Sequence, residues 1–460
     1  MNKKEKKLFI KTWGCQMNAY DSHRMADILR PLGYRTVEGP EDADMIVLNT
    51  CHIREKATDK LFSELGRLRE HKDEKTARGE SMILAVAGCV AQAEGAVVLD
   101  RAPYVDMVFG PQTYHALPEM VARAIGAIGP ARIVATDFAV EDKFDLLPTE
   151  QASQGPSAFV SVQEGCDKFC TFCVVPYTRG GEFSRPARPI MDEARRLAEG
   201  GAREITLLGQ NVNAWHGEGL DGQAWSLARL IQEIANIPEI KRIRYTTSHP
   251  RDMDDDLIAT HGEVEKLMPF LHLPVQSGSD DILHKMNRKH DRAFYLDLIR
   301  RLRAARPDLA LSTDLIVGFP GETDEDFAQT VDLVESVGFA SVYSFMYSAR
   351  PGTPAAAMAP LVPEPLKARR LSALQDLILK QSLDFNQKFI GKTLPVLFDR
   401  AGSRPGQLHG RTPWNQAIHV CAPDTLCGRL EQIRVTQASA TSLGGELAVN
   451  FHDVKELKRA

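Results

Sequence analysis

The chain has 460 residues, 25% of them charged and 43% hydrophobic, with a formal net charge of −5. That balance is soluble and globular, with room for about two to four domains. It holds no run of about 18 apolar residues and so no membrane span, and its overall acidity gives no global nucleic-acid signal.

The N-terminus, MNKKEKKLFIKTWGC, is charged and then enters a short apolar run. It lacks the long apolar core and cleavage site of a signal peptide, which places the protein in the cytoplasm. KLFIKTW (7–13), ADMIVLNT (43–50), SMILAVAG (81–88) and VDMVFGP (105–111) read as strands. Between them, AYDSHRMADILRPLG and REKATDKLFSELGRLRE have helix-period apolar spacing. Strand–helix alternation predicts an open parallel α/β sheet. DFAVEDKFDLLPTEQASQGPSA (137–158) scatters its apolar residues among turn formers and reads as a linker.

The alternation then resumes. AFVSVQEG, REITLLGQNV, RIRYTTSHP, FLHLPVQSGS, ALSTDLIVGFPGET and SVYSFMYSARPGT are six candidate strands separated by helical segments. Six βα units predict a partial (βα)6 barrel, short of the eight that close a full one. PEPLKARRLSALQDLILKQSLDFNQKF (363–389) is a long amphipathic helix. TLPVLFDR, QLHGRTPWNQAIHV, GRLEQIRVTQAS and GELAVNF follow as short strands between turns, the pattern of a small β-barrel. From Asn386 to Ala460 there are ten Lys/Arg against six Asp/Glu, a basic module on an acidic chain.

There are eight cysteines. In a reducing compartment, clustered cysteines point to metal or redox chemistry before disulfides. Cys166, Cys170 and Cys173 form CxxxCxxC after the strand AFVSVQEG, with Phe172 before the last of them. This is the C-terminal rim of a βα barrel, where active sites sit. Structural zinc would need a fourth ligand from elsewhere; a 4Fe–4S cluster held at three irons would leave the fourth open. Upstream, Cys15, Cys51 and Cys89 each end an apolar strand. In a parallel sheet those ends share one rim, so residues 36 and 38 apart converge. Separate buried cysteines are the bland alternative. Cys421 and Cys427 in the C-terminal module read as structural.

The loop CDKFCTFCVVPYTRG resembles the signature of radical S-adenosylmethionine (SAM) enzymes. TWGCQMNAYDS, NTCHIREKATDKLFSELGR and VAGCVAQ extend the resemblance to the radical SAM methylthiotransferases, over about residues 7 to 455. GRTPWNQAIHV is similar to the end module called TRAM. GCQMN and NTCHIREKA are most similar to the branch called MiaB, which acts on isopentenylated adenosine in tRNA.

The resemblance implies an N-terminal α/β domain (1–125), a linker (126–151), a radical SAM domain (152–386) and a TRAM RNA-binding domain (387–460). It implies two 4Fe–4S clusters. One, on Cys166, Cys170 and Cys173, generates the 5'-deoxyadenosyl radical from SAM. An auxiliary one, on Cys15, Cys51 and Cys89, carries the sulfur to be inserted. Two SAM molecules are used per turnover, as methyl donor and as radical source. The product carries a methylthio group on carbon 2 of the adenosine beside the anticodon, a C–H position with no useful acidity near neutral pH.

Gln210, Ser248, Gln276 and Asp314, in polar or glycine-rich stretches after the barrel strands, are candidate SAM contacts. GFPGET lacks the GK[ST] ending of a phosphate loop. Arg179 and Arg185 flank the cluster loop, to meet a SAM carboxylate, meet tRNA phosphate, or pair with Glu182. Arg411, Arg429, Arg434 and Trp414 are candidates for phosphate and base contacts with an anticodon stem-loop. The expected partners are tRNA, an external electron donor and a sulfur source, with the chain a monomer. Two alternative substrates are threonylcarbamoyl-adenosine in tRNA and a ribosomal-protein side chain. A non-enzymatic RNA-binding protein with structural metal is the reading from another class.

Overall fold

The computed structural model describes residues 5–52, 57–126, 132–138, 143–144, 146–148 and 152–448. Two units emerge from the chain. The first comprises residues up to 152 together with 164–167 and 173–183. The second comprises 153–163, 168–172 and everything from 184 onward. Each is taken by itself.

The first unit runs β1 (Lys6–Trp13), α1 (Gln16–Leu29), β2 (Tyr34–Thr36), β3 (Met45–Thr50), α2 (Ala57–Ala77), β4 (Ile83–Ala87), α3 (Cys89–Glu94), α4 (Ala96–Arg101), β5 (Met107–Phe109), α5 (Leu117–Ala124) and β6 (Ile133–Ala135). Its six strands pair in parallel in the order β2-β1-β3-β4-β5-β6. All six residues of β3 are buried, because a central parallel strand is covered on both faces. The two-residue period splits them: Met45 and Val47 pack with α1 and α5, Ile46 and Leu48 with α2 and α4. Leu61, Leu65 and Leu68 give α2 the stripe that meets the second face.

The four expected strands of this sheet are present; β2 and β6 were not expected. β6 falls inside the stretch read as linker (126–151). The rest of that stretch lies partly outside the described residues, and the IREK part of the NTCHIREKA motif, residues 53 to 56, lies outside them altogether. The short strands β8 (Gln163–Glu164) and β9 (Phe183–Ser184) are where the chain passes between the units, with β7 (Ser157–Ser161) before them and α6 (Val175–Arg179) between them.

The second unit holds β7, α7 (Ala187–Glu199), β10 (Glu204–Leu208), α8 (Leu227–Ala235), β11 (Arg242–Thr246), α9 (Asp255–Glu263), β12 (Phe270–His272), α10 (Asp280–Lys285), α11 (Arg292–Ala305), β13 (Ala310–Val317), α12 (Asp324–Val337) and β14 (Ser341–Met346). β11-β10-β7 and β12-β13-β14 are parallel sheets, and the bridge Ile243–Leu267 joins them. The six expected strands thus form an open partial barrel. Val160, Ile205, Leu207, Ile243, Leu311 and Leu315 face the helices in one core. The alternate positions, among them Glu204, Arg244, Ser312 and Asp314, face the other way.

The long helix α13 (Glu364–Gln387) leads to a closed antiparallel-dominated barrel of β15 (Thr393–Ala401), β16 (Gln407–Arg411), β17 (Ala417–Cys421), β19 (Leu443–Leu447) and β18 (Leu430–Ala438), in that order. Val396, Phe398, Ile418, Val420 and Ile433 fill it. This small barrel is clamped by buried guanidiniums from the larger one. Arg242 donates to the carbonyls of Arg411 (2.8 Å) and Pro395 (2.7 Å). Arg244 donates to those of Thr412 and Pro413, each at 2.9 Å, and to Glu204 at 2.9 Å. Cys421 and Cys427 are exposed and free, so the expectation that they are structural is corrected: neither packs in the module's core.

One buried pair in this unit predicts a pH response. The Tyr245 hydroxyl lies 2.6 Å from His261 Nε2, and burial, with Arg306 adding to it, pushes the imidazole down to about 3. The folded chain therefore refuses a proton that the unfolded chain accepts below about 6.5. Stability should fall as pH drops from about 6.5 toward 3, by up to about 1.4 kcal/mol per unit from this group. Denaturant unfolding of His261→Phe across that range should show a shallower acid limb than the parent; an equally steep limb would remove His261 as its source.

Candidate active-site residues

The strand order reverses between β1 and β3, the switch point at which open α/β sheets place ligands beyond their C-terminal strand ends. Cys15 follows β1, Cys51 follows β3 and Cys89 opens α3 just after β4. The Cys51 N–H donates to the Trp13 carbonyl at 3.0 Å, which extends the β1–β3 pairing to the cysteine itself. Gly14, at φ +135°, passes so close that a Cβ there would stand 2.5 Å from Cys51 Cβ and 3.0 Å from its sulfur. Only glycine fits that approach.

Beneath these cysteines lies a polar floor. Asn18 Nδ2 donates to Asn49 Oδ1 (3.0 Å), and Asn49 Nδ2 returns a bond to the Asn18 carbonyl (2.8 Å) and another to Ser22 Oγ (2.9 Å). The Cys15 thiol donates to Asn18 Oδ1 at 3.2 Å. Burial pushes the Cys89 thiol up; the Arg179 guanidinium opposes this, both by its charge and by a hydrogen bond, and Cys15 is near enough to add to the rise.

Arg179, the last residue of α6, is the centre of a buried charge cluster in this unit. It donates to Asp21 at 2.6 Å and to Glu164 at 3.1 Å. Lys143 meets the other Glu164 oxygen at 2.6 Å, and Gln112 Nε2 donates both to that oxygen (3.2 Å) and to the Arg179 carbonyl (2.7 Å). All four charged side chains are at most 3% exposed, which leaves no room for a phosphate. Two expectations are therefore corrected. The partners of Arg179 are Asp21 and Glu164, not Glu182, and Arg185 is buried against Glu193 at 2.9 Å, away from any anion in solvent.

Of the CxxxCxxC residues, Cys166 and Cys173 belong with the first unit and Cys170 with the second. The Cys166 N–H donates to the Gly180 carbonyl at 3.2 Å, and the Val175 N–H points at Cys173 Sγ from 3.4 Å. In the second unit Cys170 Sγ lies 3.5 Å from Arg288 Nη1. There the segment 168–172 is seated on the turn after α10: Thr171 N–H donates to the Met286 carbonyl (3.0 Å) and Asn287 Nδ2 to that of Phe169 (2.9 Å). Among the described residues no three His, Cys, Asp or Glu side chains are gathered for one metal ion. A cubane asks each thiolate to meet a different iron, a wider arrangement than a single ion requires.

The barrel's C-terminal rim is rich in buried polar atoms without protein partners: Asn211 Oδ1, Ser248 Oγ, His249 Nε2, Arg288 Nε and His290 Nε2. Buried polar atoms are normally satisfied, so this rim suits a polar ligand. Ser248 is thus one of the four sequence candidates with an atom to offer. Gln210 lies beside it in the fold's order, after β10, its N–H bonded to Gln163 Oε1 at 2.9 Å. Gln276, at φ +78°, is tied by its backbone to Asp314 and Ile316. Asp314 is not in a loop but inside β13, its carboxylate 3.5 Å from His272 Nε2. Asn211, His249, Arg288 and His290 escaped the sequence reading. Burial and the Arg288 charge hold His290 down at about 4, hence neutral near pH 7.

In the small barrel, Arg429 and Arg434 are exposed. Arg411 is half-buried and donates to the Asn415 carbonyl at 3.1 Å. Trp414 packs on Phe389 with ring centroids 4.8 Å apart and donates to the Asp308 carbonyl at 2.8 Å. Its ring and N–H are engaged in the fold. Among the described residues no helix is long and apolar enough to cross a membrane.

Comparison with known proteins adds three family matches. Residues 7–110 match the family described as "Uncharacterized protein family UPF0004", 160–334 the radical SAM superfamily, and 387–448 the TRAM domain. Radical SAM membership implies a 4Fe–4S cluster and SAM. Among solved structures, the fold is similar to TsrM, a radical SAM methyltransferase from Kitasatospora setae solved with cobalamin and a [4Fe-4S] cluster, at TM-score 0.55 and 13% identity over 76% of this chain and 74% of that one. It is also similar to the cobalamin-dependent SAM radical enzyme OxsB, at TM-score 0.53 and 11% identity over 82% and 56%. These two show the fold alone. A curated relative, the tRNA-2-methylthio-N(6)-dimethylallyladenosine synthase of Maricaulis maris (strain MCS10), is 59% identical over 451 residues, 97% of this chain and 98% of that protein. With its cysteine-tipped sheet, radical SAM barrel and TRAM module, the chain belongs to the family of tRNA-2-methylthio-N(6)-dimethylallyladenosine synthases.

Proposed function

We propose that the chain methylthiolates carbon 2 of the isopentenylated adenosine next to the tRNA anticodon. The observation that carries this is near end-to-end similarity to a synthase named for that product, in a chain that carries both cysteine sets. The division that goes with this reading is an α/β domain to 125, a linker over 126–151, a radical SAM domain over 152–386 and a TRAM domain beyond. The reaction draws on an external electron donor and a sulfur source, and the chain works as a cytoplasmic monomer.

Cys166, Cys170 and Cys173 would hold the radical cluster, and Cys15, Cys51 and Cys89 an auxiliary one that offers the sulfur. When bound, the clusters supply a one-electron reductant for SAM and an iron-held sulfur. The chain's own residues hold and orient. Arg288 sets a positive charge against Cys170, and the Asn18–Asn49 floor fixes the Cys15 thiol. Ser248 Oγ and Asn211 Oδ1, with Gln210, Gln276 and Asp314, offer polar contacts to SAM from the rim. On the TRAM module, Arg429 and Arg434 remain open to phosphate, while Arg411 and Trp414 are taken up by the fold.

The test is anaerobic reconstitution followed by mass analysis of tRNA nucleosides with and without SAM. Methylthiolated isopentenyladenosine should form only with SAM, and a product on threonylcarbamoyl-adenosine instead would overturn the substrate. Reconstituted protein should hold about eight irons, and a Cys166→Ala/Cys170→Ala/Cys173→Ala variant about four; full iron in that variant would refute the ligand assignment. Cys51→Ala should still cleave SAM to 5'-deoxyadenosine but insert no sulfur, and Cys170→Ala should do neither.

The module is clamped through Arg242 and Arg244, so deleting it would strand two buried guanidiniums. Point changes probe RNA contact more cleanly. Arg429→Ala and Arg434→Ala should each weaken tRNA binding and lower the slope of log affinity against log salt by about 0.7–0.9. Slopes unchanged in both would assign the phosphate contacts to other residues.

A further inference from the structure

The inner face of the partial barrel carries two aromatic rings that the site described above does not use. β14 is the last strand of its sheet, and its residues alternate. Val342 and Met346 pack on the core beneath the helices, so Tyr343 and Phe345 point the other way. The register agrees: Tyr343 pairs with Asp314 and Phe345 with Ile316, residues of the inner face of β13. Tyr343 is 59% exposed and Phe345 47%. Single exposed apolar residues are ordinary, but two neighbouring rings on one inner face make a patch that marks a binding surface. The patch is held in place. His272 meets the Tyr343 ring at 77°, with centroids 5.9 Å apart, and lies 3.0 Å from Ser312 Oγ and 3.5 Å from Asp314. Ile316, beside Phe345, packs on the same apolar residues as Phe172 of the cysteine loop. Phe345 is thus the ring nearer that loop, and Tyr343 the deeper one. Along the edge of β14 both rings line a groove of about 300 Å³, with Leu379 of α13 in its wall.

We propose that these two rings form the substrate-base site: Phe345 stacks on the purine of the isopentenylated adenosine, and Tyr343 receives its isopentenyl group. This rests on the function proposed above. An unpaired loop base can be splayed out of its RNA and stacked on an aromatic side chain. The orientation follows from the base itself. Carbon 2 and the N6 substituent leave different corners of the six-membered ring, so a base that turns carbon 2 toward the cysteine loop sends its alkyl group away from it, toward Tyr343. Two residues along a strand advance about 7 Å, a step that suits a purine followed by the group on its N6. Stacking tolerates any purine, so Phe345 holds the base without selecting it. Burial of the alkyl group against Tyr343 is what separates isopentenylated from unmodified adenosine.

The measurement is the affinity of the reconstituted full chain, without reductant, for two anticodon stem-loop RNAs that carry adenosine or isopentenyladenosine beside the anticodon. The parent should prefer the isopentenylated RNA by about tenfold. Phe345→Ala should weaken both RNAs alike, by about tenfold, and Phe345→Leu should not restore them, because stacking needs a flat ring. Tyr343→Ala should bring the isopentenylated RNA down to the level of the unmodified one, and Tyr343→Leu should keep the preference, because alkyl contact needs only an apolar side chain. Iron content equal to the parent's identifies the variants whose fold is intact, and a variant that loses iron is replaced in the comparison by the other change at its position. Suppose the parent prefers and thiolates the isopentenylated RNA while variants with full iron bind both RNAs as the parent does. The proposal is then overturned and the function stands. Exchange of the two effects between Phe345 and Tyr343 would overturn it as well. A parent that shows no preference and thiolates neither RNA would remove the function itself, and the proposal with it.

Discussion

A guanidinium sealed from water persists only where opposite charge meets it. In the first unit that constraint gathers four stretches of chain that share no strand pairing: α1 through Asp21, the segment at Lys143, β8 through Glu164 and α6 through Arg179. Removing one partner from such a group costs about 3–5 kcal/mol, because the remaining charge is left buried. The ends of the CxxxCxxC loop that belong to this unit are therefore anchored by electrostatics as well as by apolar packing. Arg179 also sits at the C-terminus of α6, where the helix dipole favours a cation. The second unit obeys the same rule on its own terms, with Glu204 accepting from Arg244 in the barrel interior.

Most of the fold was legible because its strands are long apolar runs with a helix-period segment after each. β3 and β4 announce themselves as MIVLNT and ILAVA. β2 and β6 did not: each is three residues long with a single buried residue, so no apolar run marks it, whereas the equally short β5 is buried throughout. Both are edge strands that the sheet recruits through pairing with a neighbour already formed, a tertiary cause that a local window cannot contain.

The site was legible in its sulfur and opaque in its charges. Cysteines at the ends of apolar strands can be placed from topology alone, because parallel strands share a rim. Ion pairs have no such grammar. Arg179 and Asp21 are 158 residues apart, and Arg288 and Cys170 are 118 apart. Arg185 looked like a surface base beside the loop, and only burial against Glu193 shows otherwise. Trp414 likewise looked like a stacking platform until its ring met Phe389 and its N–H met the Asp308 carbonyl. Orphaned rim atoms such as His249 Nε2 cannot be read from sequence at all, since they are defined by the partners they lack.

The clamp on the small barrel has a consequence for how this module can vary. Arg242 and Arg244 hold it through four main-chain carbonyls, those of Pro395, Arg411, Thr412 and Pro413. A carbonyl is supplied by every residue type, so the grip recognises the path of the backbone and is indifferent to the side chains along it. The sequence of the module can then drift, or be exchanged for that of a distant relative, without loosening its seat, provided the bends at 395 and 411–413 keep their shape. The exposed surface of the module is free to be rewritten while the orientation in which it is presented stays constant.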